Sequence, residues 1–221
     1  MRTTFLGNRW LVVALVACAQ CVHGGRSTHA ADCDAIPCAN LLQSDGQSAI
    51  RTSPLIAQLK PDRVLILTSL DRQDRLKEQA VLARELASQL RSQAGFDAVV
   101  CRDRVCDDMN PIRTGRFDER TLIELGRTYS VDAVLYCTVQ SIEAYRPMKL
   151  EIEFLLVNID QSVAVASGNQ QLDLSDIRTE GLFLHSLNAD PDIGTMLSNS
   201  PTRMIGFGAS RLAASLAALW R

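Results

Sequence analysis

The residues best suited to redox or metal chemistry in this 221-residue chain are seven cysteines and three histidines. Cys33 and Cys38 are separated by four residues, and the same gap separates Cys101 from Cys106. In an exported protein each pair could close a short loop as a local disulfide. Cys137 lies inside an apolar run and is expected to behave as a small buried hydrophobe. Cys21, His23, His29, Cys33 and Cys38 form an irregular set without the paired spacing of zinc ligands, so no metal is expected. His185 has no acid beside it in sequence, and no Gly-x-Ser-x-Gly elbow marks a nucleophile. Gly206-Phe207-Gly208-Ala209-Ser210 lacks the third glycine and preceding strand of a dinucleotide loop. Its glycines are better explained by close helix–sheet packing. Glu78, Glu85, Glu119, Glu124, Glu151 and Glu153 could supply an acid–base pair, but their neighbours are those of solvated faces. The expectation is a protein without a cofactor or catalytic device.

The remaining chemistry is at the start of the chain. Arg2 and Arg9 precede the apolar run Leu11 to Ala17, which suits a signal peptide and falls far short of the ~20 residues that span a bilayer. Leu15-Val16-Ala17-Cys18 resembles a bacterial lipobox, in which the cysteine becomes the lipidated N-terminus of the mature chain. The alternative is ordinary secretory cleavage after Ala17-Cys18-Ala19. Lipidation at Cys18, with palmitate among the acyl groups, would anchor the protein to a membrane facing the periplasm. A multi-chain anchor holds stably where one short acyl chain does not. Ala19, where aspartate would resemble an inner-membrane retention signal, favours the outer membrane.

Without residues 1–17, Lys plus Arg falls from 23 to 21 against 25 acids, a net charge of −4. That balance argues against nucleic-acid binding, and no run of five or six like charges makes a polybasic patch. Apolar residues are 47% of the chain, enough for a real core.

Residues 18–60, rich in Gly, Ser, Ala, Asp and Gln, read as a lipid-anchored tether, and residues 61–221 as one domain. Val64 to Leu67 is a continuous apolar run, as in a strand covered on both faces. A helix is expected over 72–93, with Asp71 as its cap and Gly95 as its stop. A strand follows over Phe96 to Val100. Asp118 can cap a helix through Tyr129, followed by a covered strand from Ala133 to Val139. Lys149 to Ile159 and Val163 to Gln170 make a hairpin across Asp160-Gln161-Ser162. Residues 171–202 read as loop, and Thr202 to Trp220 as the last helix. The predicted order is β-α-β-α-β-β-β-α, which favours an α/β fold with a single mixed sheet and helices packed on it.

The stretch Leu122 to Ser167 carries a resemblance. Val131-Asp132-Ala133-Val134, Thr138-Val139, Leu156-Val157-Asn158-Ile159-Asp160 and Val165-Ala166-Ser167 are similar to signature turns and strand edges of a bacterial envelope group. That group contains the curli-secretion lipoprotein CsgG, the penicillin-binding-protein activator LpoB and the N-terminal domain of TolB. Cys137 replaces a usual glycine, and Gln161-Ser162 replaces a Thr-Gly turn. The resemblance extends over about Val64 to Ala218 and implies a non-enzymatic envelope lipoprotein that docks onto a partner protein. A CsgG-type secretion channel is the alternative, but no pair of alternating ~10-residue membrane strands matches its hairpins. The tethered-adaptor type fits better, with ~40 disordered residues spanning roughly 35 Å. Its partners would be the membrane, through the lipid, and an unidentified envelope protein.

Overall fold

The computed structural model describes residues 40–44, 48–69, 75–101, 110–187 and 200–221. The mixed sheet is observed, with seven strands: β1 (Asn40–Ser44), β2 (Ser48–Thr52), β3 (Arg63–Thr68), β4 (Asp97–Val100), β5 (Ala133–Glu143), β6 (Lys149–Asn158) and β7 (Val163–Asp173). Their spatial order is β1-β2-β7-β6-β5-β3-β4. β3 runs parallel to β4 and β5, while the other pairings are antiparallel. Five α-helices accompany them among the described residues: α1 (Leu76–Gln89), α2 (Pro111–Thr114), α3 (Glu119–Tyr129), α4 (Ile177–Ser186) and α5 (Pro201–Ala218).

Three differences from the sequence expectation stand out. β1 and β2 belong to the sheet although residues 18–60 read as tether. Their short, mostly polar sequences carry no alternating pattern, and their pairing comes from the edge of β7. The second is α4, which occupies part of the expected 171–202 loop. Its Asp176 cap accepts from Thr179 N at 3.0 Å and Thr179 Oγ1 at 2.7 Å. Asp118 does the same for α3 through Thr121, at 3.0 and 2.7 Å, so one Asp-x-x-Thr device starts both helices. Third, α1 begins at Leu76 and continues as a wider turn over Leu90–Ala94 before Gly95 stops it at φ 71°. Asp71, its expected cap, lies outside the described residues.

One face of the sheet is sealed by α1 and α5. Leu82, Leu86 and Leu90 meet Ile66, Ala98 and Leu135, while Ala209, Leu212, Ala213 and Leu216 come from α5. Each such leucine withdrawn from water contributes about 1.5–3 kcal/mol. Gly208 brings the α5 backbone against β6: a Cβ there would lie 2.8 Å from Ile152 Cδ1 and Leu150 Cδ2. The Gly206–Ser210 stretch is thus a packing device inside a helix. At the C-terminal end Trp220 meets Phe96 edge-on, with ring centres 5.4 Å apart, and donates from Nε1 to Ile56 O at 2.7 Å.

The opposite face is covered only in part by the described residues. Leu122 of α3 packs over Leu65, Leu67, Val134, Tyr136 and Val157. Asp132, at the foot of this layer, accepts from Asp62 N at 2.8 Å and Arg63 N at 3.0 Å. Its own N–H donates to Arg63 O at 3.1 Å, and its carbonyl accepts from Ile159 N at 2.9 Å. One residue therefore ties the start of β3 and the end of β6 to the start of β5. At the other end of β5, β3 has stopped and the buried Gln79 of α1 takes its place. Its Oε1 accepts from Val139 N at 3.1 Å, and its Nε2 donates to Thr138 Oγ1 at 2.8 Å and Val139 O at 3.4 Å.

Three outcomes are expected. Asp132→Ala leaves two strand-start N–H groups without their acceptor and should lower urea-unfolding stability by about 1–3 kcal/mol. Gly168 and Gly181 should respond oppositely to alanine. At Gly168 a Cβ would lie 2.3 Å from Ala49 O, whereas at Gly181 in α4 it meets nothing within 4 Å. Gly168→Ala should cost about 1–3 kcal/mol, and Gly181→Ala should add about 0.5–1 kcal/mol. Finally, the hydrogen bonds from Thr121 hold the Asp118 carboxyl below its ordinary 3.8. The unfolded chain then takes up the proton first, so this cap stabilises fully above the unfolded value and is lost as pH falls through the folded one. The Tm gap between wild type and Asp118→Ala should be constant near neutrality and close below about pH 4.

Candidate functional site

The uncovered part of the second face follows from strand register. Residues alternate between faces, so Arg51, Ser167 and Leu155 form one row across β2, β7 and β6, with Tyr136 of β5 beyond. Ala49, Asn169, Glu153 and Thr138 form the next, and Gln171, Glu151 and Ser141 another. The first row has an apolar end beneath α3; the later rows are increasingly polar, and no helix among the described residues is seen to cover them.

A cavity of about 300 Å³ opens where these regimes meet. Ala49, Ala164 and Ser167 give it a floor of small side chains beside Leu155, and Pro111, Ile112 and Phe117 form its wall. The wall is placed by α2, a single turn with Pro111 at its first position and Asn110 as cap, accepting from Ile112 N at 3.1 Å. Gly115 ends that turn at φ 65°, a conformation glycine adopts without strain. Arg51, Glu153 and Asn169 supply the polar lining.

These polar groups are held differently. Glu151, behind the cavity, accepts from Asn169 Nδ2 at 2.5 Å, Ser141 Oγ at 3.2 Å and Gln171 Nε2 at 3.4 Å. Because a carboxylate only accepts, this contact fixes the Asn169 amide with Nδ2 toward Glu151. Asn169 Oδ1 is left buried without a hydrogen-bond partner among the described residues. Glu153 accepts from Gln140 through Oε2. Arg51 is exposed. Tyr136, next in the row, is buried, and burial pushes its phenol up to about 12.

The residues singled out in the sequence do not converge here. Cys18, Cys33, Cys38 and Cys106 lie outside the described residues, as do Cys21, His23 and His29. Cys101 is a free thiol whose Sγ donates to Tyr129 Oη at 3.3 Å, and its expected partner Cys106, like the Cys33–Cys38 pair, lies outside the described residues. Cys137 is the buried hydrophobe expected, its thiol pushed up to about 12 by burial. His185 is exposed in the last turn of α4. Glu151 and Glu153 stand on the cavity side of β6, whereas Glu78, Glu85, Glu119 and Glu124 are on α1 and α3. No group of three or more metal-binding side chains occurs among the described residues, and no helix among them is long and apolar enough to cross a membrane. Sequence reasoning missed Arg51, because β2 was read as tether, and Asn169, because an isolated asparagine gives no local signal.

A second exposed feature lies at the end of the sheet where β5 turns into β6. Tyr145 is 90% exposed in that turn, and Ile177, at the start of α4, is 85% exposed. The ends of these elements adjoin through Leu174 N, which donates to Met148 O at 2.9 Å.

No protein-family model matches this chain, and no curated protein matches its sequence. Among solved structures it is similar to the PelC dodecamer from Paraburkholderia phytofirmans, at 11% identity and a TM-score of 0.46 over 76% of this chain and 96% of that one. It is also similar to lipoprotein GNA1162 from Neisseria meningitidis, at 18% identity and a TM-score of 0.34 over 51% and 81% of the two chains. The hypothetical protein CT253 from Chlamydia trachomatis is a third, at 9% identity and a TM-score of 0.41 over 69% and 93%.

Proposed function

We propose that the protein is a non-enzymatic, lipid-anchored component of a bacterial cell envelope. In this reading Cys18 carries the lipid and the α/β domain acts as a periplasmic adaptor, binding a partner on the uncovered half of its sheet. The observation that carries the docking site is the cavity in that half-face. Its floor is apolar while its rim holds Arg51 and Glu153, the mixture by which ligand and partner sites combine affinity with orientation. The apolar leader ending in Leu15-Val16-Ala17-Cys18 supports the anchor. The resemblance of Leu122 to Ser167 to envelope lipoproteins supports the adaptor role, and the exposed Tyr145 adds an aromatic group of the kind enriched at interfaces.

The experiment joins two readouts on the full chain expressed in a diderm bacterium. Intact mass of the membrane-extracted protein should begin at Cys18 with added acyl groups, and Cys18→Ala should lose both the acyl mass and the membrane fraction. A photo-crosslinking residue at Ser167, in the cavity floor, should give one discrete adduct that the same residue at Arg120, on α3, does not give. An unmodified mature chain starting beyond Cys18 would remove the anchor. Equal adducts from both positions would remove the docking site.

A further inference from the structure

The cavity has a polarity that narrows what can enter it, and this inference rests on the reading of the cavity as a binding site. Arg51 lies opposite Ser167 in one row, and Glu153 lies opposite Asn169 in the next. The cation and the anion are thus set diagonally across β7, with Leu155 and Ala164 on the apolar floor. Neither charge is neutralised by the other: no ion pair joins them, and Glu153 is held by the neutral Gln140 amide.

We propose that this cavity binds a short apolar peptide with both termini free, of about dipeptide size. Its carboxylate pairs with the Arg51 guanidinium, the fork geometry that arginine offers carboxylates. Its ammonium group donates to Glu153. Its apolar side chains lie against Leu155, Ala164 and Phe117. A cavity of about 300 Å³ is at the small end of ligand pockets, which suits a dipeptide better than a nucleotide or a long acyl chain. A simple carboxylic acid would leave Glu153 unused, and a simple amine would leave Arg51 unused.

Calorimetric titration of the full chain in detergent with leucyl-leucine, its N-acetyl derivative and its C-terminal amide tests this. Leucyl-leucine should bind, and each blocked form should bind about tenfold more weakly or worse, the scale of one lost charge-assisted hydrogen bond. Arg51→Ala should weaken leucyl-leucine about tenfold and the amide much less, because the amide has only a neutral carbonyl to offer the guanidinium. Ser167→Trp, which fills the floor, should abolish binding of all three. Equal binding of the three peptides, no binding at millimolar concentration, or an equal effect of Arg51→Ala on peptide and amide would each overturn the proposal. If the peptides fail while the Ser167 crosslink still captures one partner, the ligand class is wrong and the docking reading survives. If both fail, the cavity is not a site.

Discussion

The fold depends on how the parallel and antiparallel halves of the sheet are joined, and Asp132 makes that joint. A parallel strand pair has no hairpin to fix its register, so β3 and β5 need some other contact to hold their ends level. Asp132 supplies it with its carboxylate on two successive N–H groups of the Asp62–Arg63 peptides and its backbone on Arg63 and Ile159. From that foot the apolar residues of β3 and β5 come into step, and the two helical layers find a surface of matched height. The alternation of β6 and β7 then carries the same register across to the cavity.

Much of this was legible in the sequence because apolar patterning is local. The continuous Val64–Leu67 run, the alternation from Leu150 to Leu156 and the Asp118 cap each announce one element without help from the rest of the chain. Glycine at 95 stops its helix in the left-handed conformation, as its position suggests. The elements that went unread were those whose stability is borrowed. β2 has only Ile50 as a large apolar residue and exists by pairing with β7. α4 is interrupted by Gly181, and its cap is identical in spacing to the one recognised at Asp118.

The candidate site was hidden for a related reason. Its members come from β2, α2, β6 and β7, so no window of sequence contains them together. Two of its features are not residue types at all: the small side chains of the floor make a space, and Asn169 matters because its nitrogen is already engaged. The Val131-Asp132-Ala133-Val134 stretch contains a structural node, since its aspartate is the strand clamp. That role is structural and says little about chemistry.

Gln79 has a mechanical consequence. By pairing its amide with both backbone groups of Val139, it acts as one residue of a missing strand contributed from the helix layer. Helices packed on sheets through aliphatic contacts can shift by small sliding motions. Here such a slip of α1 would break a pair of directional bonds in a dry interior at once. The helix is therefore keyed to the sheet along its own axis, and a load arriving at the far β5–β6 turn would pass into α1 as a push on a rigid strut.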